Sequence, residues 1–278
     1  MISRLAYAVL RAVMVAILVS IPSLMLPGTG TDTAQIVALV AIFGAVLTII
    51  EYTAAYPSLV EFRDAPPFNR IRFFSLLLTV LLLSIILRGE YGQSSLTLFL
   101  QAIGGLIGNA IDFPYSPVRL VVLMLPEQAS SVHIDQVRTA AGMAYLISLT
   151  TLAVFIIVLR IQRWPLANGS FNVWVNLPTF DPTTGGDVVE RLERDARFNI
   201  ALAFLLPFMT PAAVKAAGSV FGAMSVENPH TLIWTVAAWA FLPTSLFMRG
   251  IAMGRVANMI AEKRRRAQDE KAVGLQPA

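Results

Sequence analysis

The chain has 278 residues, 56% of them apolar and only 14% charged, with a formal net charge of +4, 16 Pro, 17 Gly and no Cys. A soluble domain carries about 25% charged side chains, so this one lacks the polar cover for an aqueous surface and the bilayer is its expected main solvent. The composition excludes a disordered chain, a disulfide-stapled secreted domain, a Cys-ligated metal or iron–sulfur protein and an ordinary cytosolic enzyme.

A helix crossing the hydrocarbon core needs about 20 mostly apolar residues. Residues 5–26 make the first such run. Arg4 and Arg11 give it the basic start of a signal peptide, but no small-x-small cleavage site follows at 22–33, so a retained anchor is expected. Residues 35–56 make the second, with Glu51 about one turn before its end. An acid there suits a proton or cation path; its closeness to the interface favours contact with water, Arg63 or Arg72.

The connection 57–72 mixes Phe62 and Phe68 with charges of both signs around Pro66-Pro67. This predicts an extended or turning segment whose apolar side chains rest on the membrane surface. The third span is 71–87. Residues 96–125 are apolar but interrupted by Asp112-Phe113-Pro114-Tyr115-Ser116-Pro117. Their halves, about 16 and 9 residues, reach roughly 24 and 14 Å, short of a 30 Å core. A broken region is expected: a re-entrant hairpin, two short crossings or an interfacial segment. Asn109 and Asp112 stand on it beside Gly104, Gly105 and Gly108. The small-residue spacing of Gly104/Gly108, repeated at Gly218/Gly222 and Gly250/Gly254, predicts tight helix packing in preference to a pore lining.

After a fourth span at 140–159 comes the longest polar stretch, 162–197. Phe171-Asn172-Val173-Trp174-Val175 alternates like a short strand, followed by turn residues at Pro178, Asp181-Pro182 and Gly185-Gly186. Asp187 with Glu190 forms a capping-box pattern, predicting a helix from about Val188 straight into the fifth span. Its Arg191, Glu193, Arg194, Asp195 and Arg197 mix signs as a solvated helix laced by local ion pairs does. The loop is also long for a mere connection. Arg63, Arg70, Trp174, Asp181, Arg191 and Arg194 are therefore candidate contacts for a partner. The Gly-Gly lacks the Gly-Lys-Ser/Thr ending of a phosphate loop. The sequon Asn168-Gly169-Ser170 falls on the cytoplasmic side and is expected to be a chance match.

The fifth span, 198–224, carries Pro207, Pro211 and Lys215. Lys215 either snorkels to headgroups or pairs with Asp112, and the prolines free carbonyls near Ala203 and Pro207, as in broken transporter helices. The structural reading is favoured because proline kinks are common in membrane helices. The sixth span, 231–248, runs on into a basic tail, 255–278. There Lys263, Arg264, Arg265 and Arg266 are expected to meet anionic headgroups; without interleaved aromatics, a nucleic-acid patch is disfavoured.

Orientation follows from the basic residues. If 96–125 leaves and returns on one side, all 21 Lys and Arg except Arg88, Arg119, Arg138 and Lys215 fall on the side of both termini, predicted to be cytoplasmic. A single crossing would put the majority outside. Tyr7, Tyr52, Tyr56 and Trp164 then mark the inner interface and Trp234 the outer one. The two histidines, His133 and His230, both fall in outer loops. Haem or metal ligation, a nucleophile elbow and a zincin motif therefore find no support.

The expectation is an all-α, polytopic integral membrane bundle of six transmembrane helices plus a broken hairpin region, in a bacterial inner membrane. It holds no cofactor and binds no nucleic acid. Its leading reading is a non-enzymatic subunit or scaffold that meets another membrane protein, or a second copy, through its cytoplasmic loops. The alternative is a small-solute or ion transporter using Lys215, Asp112, Asn109 and the Pro207/Pro211 break.

Overall fold

The computed structural model describes the chain except for residues 1, 127, 166–170, 182, 184, 222–227 and 275–278. The sequon, Pro182, Gly222 and the end of the predicted fifth span lie outside the described residues. Among those described there are nine helices and no strand: α1 (Ile2–Met25), α2 (Thr31–Thr53), α3 (Phe68–Arg88), α4 (Ser95–Ala110), α5 (Pro117–Val122), α6 (Ser131–Ile161), α7 (Val173–Asn176), α8 (Val188–Phe221) and α9 (Pro229–Gly274). Helices α1, α2, α3, α6, α8 and α9 are each long and apolar enough to cross a membrane, so the protein is an all-α polytopic bundle.

Local chemistry sets the ends. Ser94 caps α4 through a reciprocal pair with Thr97, and Ser116 caps α5, which has Pro117 at its first position. Ser130 accepts the amide of His133 at 3.2 Å and starts α6 nine residues before the apolar stretch read from the sequence. In α8, Pro211 removes the amide that would bond the Pro207 carbonyl, and Trp239 Nε1 on α9 donates to that oxygen at 3.0 Å. The break is thus satisfied by a side chain.

The long helices alternate in direction. Arg11 on α1 stands 4.5 Å over the Tyr52 ring near the end of α2, Thr151 on α6 donates to Ser75 on α3 at 2.9 Å, and Phe68 and Phe155 meet at 5.8 Å. The start of α1 and the outer part of α9 therefore lie at one end of the bundle, with residues 54–67 and the described residues of 171–187, here called the loop end. At the opposite end Thr29 meets His230 at 3.2 Å and Gln101 donates to the Ile86 carbonyl at 3.0 Å. Residues 89–130 leave and return at that opposite end. Helix α4 lies against α6 and α3, while α5 buries Val118 and Val121 completely between α6 and α8.

The α4 and α6 backbones touch through glycine. A Cβ on Gly104 would stand 2.7 Å from the Thr139 carbonyl, one on Gly108 2.5 Å from that of Arg138, and one on Gly142 against the backbone of both glycines. Gly250 likewise lets α9 close on Ala196 and Ile200 of α8.

Two apolar clusters fill the bundle. One, toward the opposite end, gathers Val80, Leu83, Val121, Ala141, Ile233 and Val236. The other, at the loop end, gathers Phe62, Phe68, Phe155, Trp164, Leu177 and Leu192. Here three expectations fail. Phe62 and Phe68 do not rest on the membrane surface but are buried, because Phe62 takes a left-handed φ of 52° that turns it inward beside Phe68, Trp164 and Phe171. Trp164 is consequently a core residue and not an interfacial belt residue. The strand-like alternation at 171–175 instead becomes the single turn α7, since the Asn172 side chain accepts the Trp174 amide at 3.0 Å and starts it.

Gly142→Ala is expected to destabilise the bundle by about 1–3 kcal/mol through overpacking of α4 on α6. Gly105→Ala, whose Cβ would meet Thr139 Oγ1 at an ordinary 3.6 Å, should leave thermal unfolding in detergent unchanged.

Candidate functional site

Elements far apart in the chain converge at the loop end. Glu51, within the last turn of α2, turns its carboxylate onto the following loop and accepts the amides of Ser58, Leu59 and Val60 at 2.9–3.0 Å and the Ser58 hydroxyl at 2.6 Å. Arg63 then folds back and donates to the carbonyls of Glu51 at 3.0 Å and Ala54 at 2.6 Å, capping the helix C-terminus. Arg63 therefore binds the backbone of Glu51 and not its carboxylate. Both residues act as structural caps.

The loop so shaped is tied to the rest of the protein by Glu61. Its buried carboxylate receives both arms of the Arg249 guanidinium from α9, Nε to Oε2 at 2.6 Å and Nη2 to Oε1 at 2.8 Å, and the Thr179 hydroxyl at 2.8 Å. Arg249 Nη1 donates to Asn199 Oδ1 on α8 at 2.8 Å. Beside it, the Phe62 amide donates to the Asn176 carbonyl at 2.7 Å and the Asp64 amide to Asn176 Oδ1 at 3.0 Å. One bidentate pair thereby joins both loops and the last two helices. The fork-to-fork geometry and the added hydrogen bonds satisfy the charges that burial would otherwise penalise. Sequence reasoning did not single out Glu61 or Arg249. The signal was faint: an acid between Val60 and Phe62, and an arginine at the exit of the last span.

Other predicted contacts divide into those used internally and those left outward. Asp181 accepts from Thr183, and Arg191 donates to the Asp181 carbonyl at 2.8 Å while standing 4.7 Å over the Phe180 ring. Trp174, Arg70 and Arg194 are exposed. Arg197 and Glu193 approach within 3.6 Å, as the mixed charges of this helix predict. Arg72, one turn into α3, lies over Phe68 and Phe241, and its buried Nε has no acceptor.

The tail leaves as a straight continuation of α9. Arg264 reaches Asp187 at 2.6 Å, holding that carboxyl below its ordinary value of 3.8 together with the Val189 amide. A lowered folded pKa means that this contact contributes above the ordinary value and is lost only as pH falls through the lowered one. Because Asp187 is solvent-exposed, its contribution is small.

The residues of the transporter reading do not meet. Asp112 lies 2.7 Å from both Arg119 Nε and Arg138 Nε, with Asp135 also on Arg138. These two nearby arginines replace the proposed Lys215 partner. Lys215 donates to the Leu123 carbonyl at 3.2 Å, and Asn109 donates to Gly105 within its own helix. Between α6, α8 and α9 lies a cavity of about 270 Å3 lined by Tyr145, Leu152, Phe204, Trp239 and Phe247, with no charged side chain on its wall. Among the described residues no group of His, Asp or Glu could hold a metal ion. No protein-family model, curated protein or solved structure matches the chain.

Glu61→Gln should cost about 1–3 kcal/mol by leaving the half-buried Arg249 without its counter-charge. In Glu61→Met/Arg249→Met the loss should be smaller than the sum of the two single losses, read from thermal unfolding at neutral pH. Asp187→Asn should leave the same transition nearly unmoved.

Proposed function

We propose that this protein is a non-enzymatic membrane subunit or scaffold whose docking surface is the loop end. The observation that carries the reading is the Glu61–Arg249 pair with its Thr179 and Asn199 partners, which builds two separate connections into one ordered surface. A connection serving only to join spans needs no such cross-ties, and ordering a surface in advance lowers the entropy cost of binding. Outside this framework stand Trp174 and Arg194, an exposed aromatic and an exposed cation of the types enriched at protein interfaces. The partner fitting this reading is another membrane protein or a second copy of the chain.

In this reading the loop end faces the cytoplasm of a bacterial inner membrane; the excess of Lys and Arg there supports the orientation. The chain contains no Cys, so a single cysteine reports its side without background. A cysteine at Gln268 should be shielded from an impermeant thiol reagent in intact cells, and one at Val132 should be modified. Labelling at Gln268 would refute the orientation.

Mild detergent extraction should recover the chain in a complex larger than one protomer. Trp174→Ala/Arg194→Glu should release it by about tenfold or more, as loss of an interface anchor does, without moving the unfolding temperature. A lone monodisperse wild-type protomer would sink the docking proposal.

A further inference from the structure

The loop end has a second, strongly basic feature apart from the docking surface. The first turns of α1, the end of α2, the capping loop and the start of α3 enclose a cleft of about 460 Å3 walled by Arg4, Tyr7, Arg11, Tyr52, Arg63 and Arg70. Asp64 is the one acid on this wall, and it is already engaged by Arg63 at 3.3 Å. The arginines are of two kinds. Arg11 and Arg63 are fixed: Arg11 donates to the Tyr7 carbonyl at 3.2 Å and covers the Tyr52 ring, and Arg63 caps α2. Arg4 and Arg70 make no hydrogen bond or ion pair among the described residues and are exposed.

We infer that this cleft binds the phosphate of an anionic phospholipid. Gathering four guanidinium groups against one carboxylate leaves an uncompensated charge that a phosphodiester neutralises. Guanidinium forks match its oxygens in pairs. A lipid is the source because of where the cleft lies. It opens at the ends of α1 and α2, two helices long and apolar enough to cross a membrane, whose outer faces expose Leu10, Val13, Val46 and Ile50. Helix α2 packs chiefly on α1, and nearly all of its remaining surface is unburied. Arg264 is tied to Asp187, roughly 22 Å along the α9 axis beyond Arg249.

The test is native mass spectrometry of the full chain, purified in a neutral detergent and titrated with phosphatidylglycerol or phosphatidylcholine. Arg4→Gln/Arg70→Gln breaks no contact in the fold, so its unfolding temperature should match wild type. Its phosphatidylglycerol affinity should fall at least about tenfold, with partial recovery in Arg4→Lys/Arg70→Lys. Lys263→Gln/Arg265→Gln should bind as wild type does. Equal affinity in the glutamine variant, equal binding of phosphatidylcholine, or displacement of the lipid by millimolar inorganic phosphate would each overturn the inference, the last by assigning the cleft to a soluble anion. Loss of partner copurification in Trp174→Ala/Arg194→Glu leaves this readout untouched, so the two proposals fail separately.

Discussion

The architecture of the loop end depends on one interaction, the two-pronged contact between Glu61 and Arg249. It spans 188 positions of sequence and fixes the first connection of that end against the last helix. Remove it, and the backbone of Phe62 loses the brace that holds it in a left-handed conformation, which costs about 1–3 kcal/mol and persists only when its surroundings enforce it. Phe62 is in turn the centre of an aromatic cluster with Phe68, Trp164 and Phe171. Electrostatics at the rim and apolar packing beneath it are therefore one cooperative unit.

The membrane-depth part is simpler. Its buried hydroxyls, Thr79, Ser84 and Thr244, donate to carbonyls one turn back, and Ser148 reaches across to Ala240. These groups are satisfied within the helices, where no water is at hand to pair with them. Glycine provides the closest approaches, α4 to α6 and α9 to α8, because dispersion between backbones replaces the hydrophobic effect that lipid cannot supply. Such an interior is closely packed, and the charged contacts that join distant elements gather at its two ends.

The six spans and the broken region were legible in the sequence because span length and charge placement are local properties summed over many residues. The return of 89–130 to one end was legible for the same reason: it follows from where Lys and Arg must sit. The continuation of the charged segment from Val188 into α8 also followed from a local pattern. Contacts between distant residues left no such trace. Phe62 beside Arg63 and Asp64 reads as an interfacial residue, and only its backbone φ and the Asn176 carbonyl reveal it as core. Asp112 invited pairing with the conspicuous intramembrane Lys215, whereas two arginines nearer in the chain had already claimed it. Glu51 looked like an isolated acid in a span, and three amides from its own succeeding loop explain it.

Helix α9 runs unbroken from Pro229 to Gly274, 46 residues or roughly 69 Å, more than twice the thickness of a hydrocarbon core. Arg249 grips it partway along, leaving arms of about 30 and 38 Å on either side. Beyond that grip Arg255 donates to the Leu159 carbonyl at 2.9 Å and Arg264 reaches Asp187, so a single continuous element carries both the packed interior of the bundle and the cross-ties of the loop end.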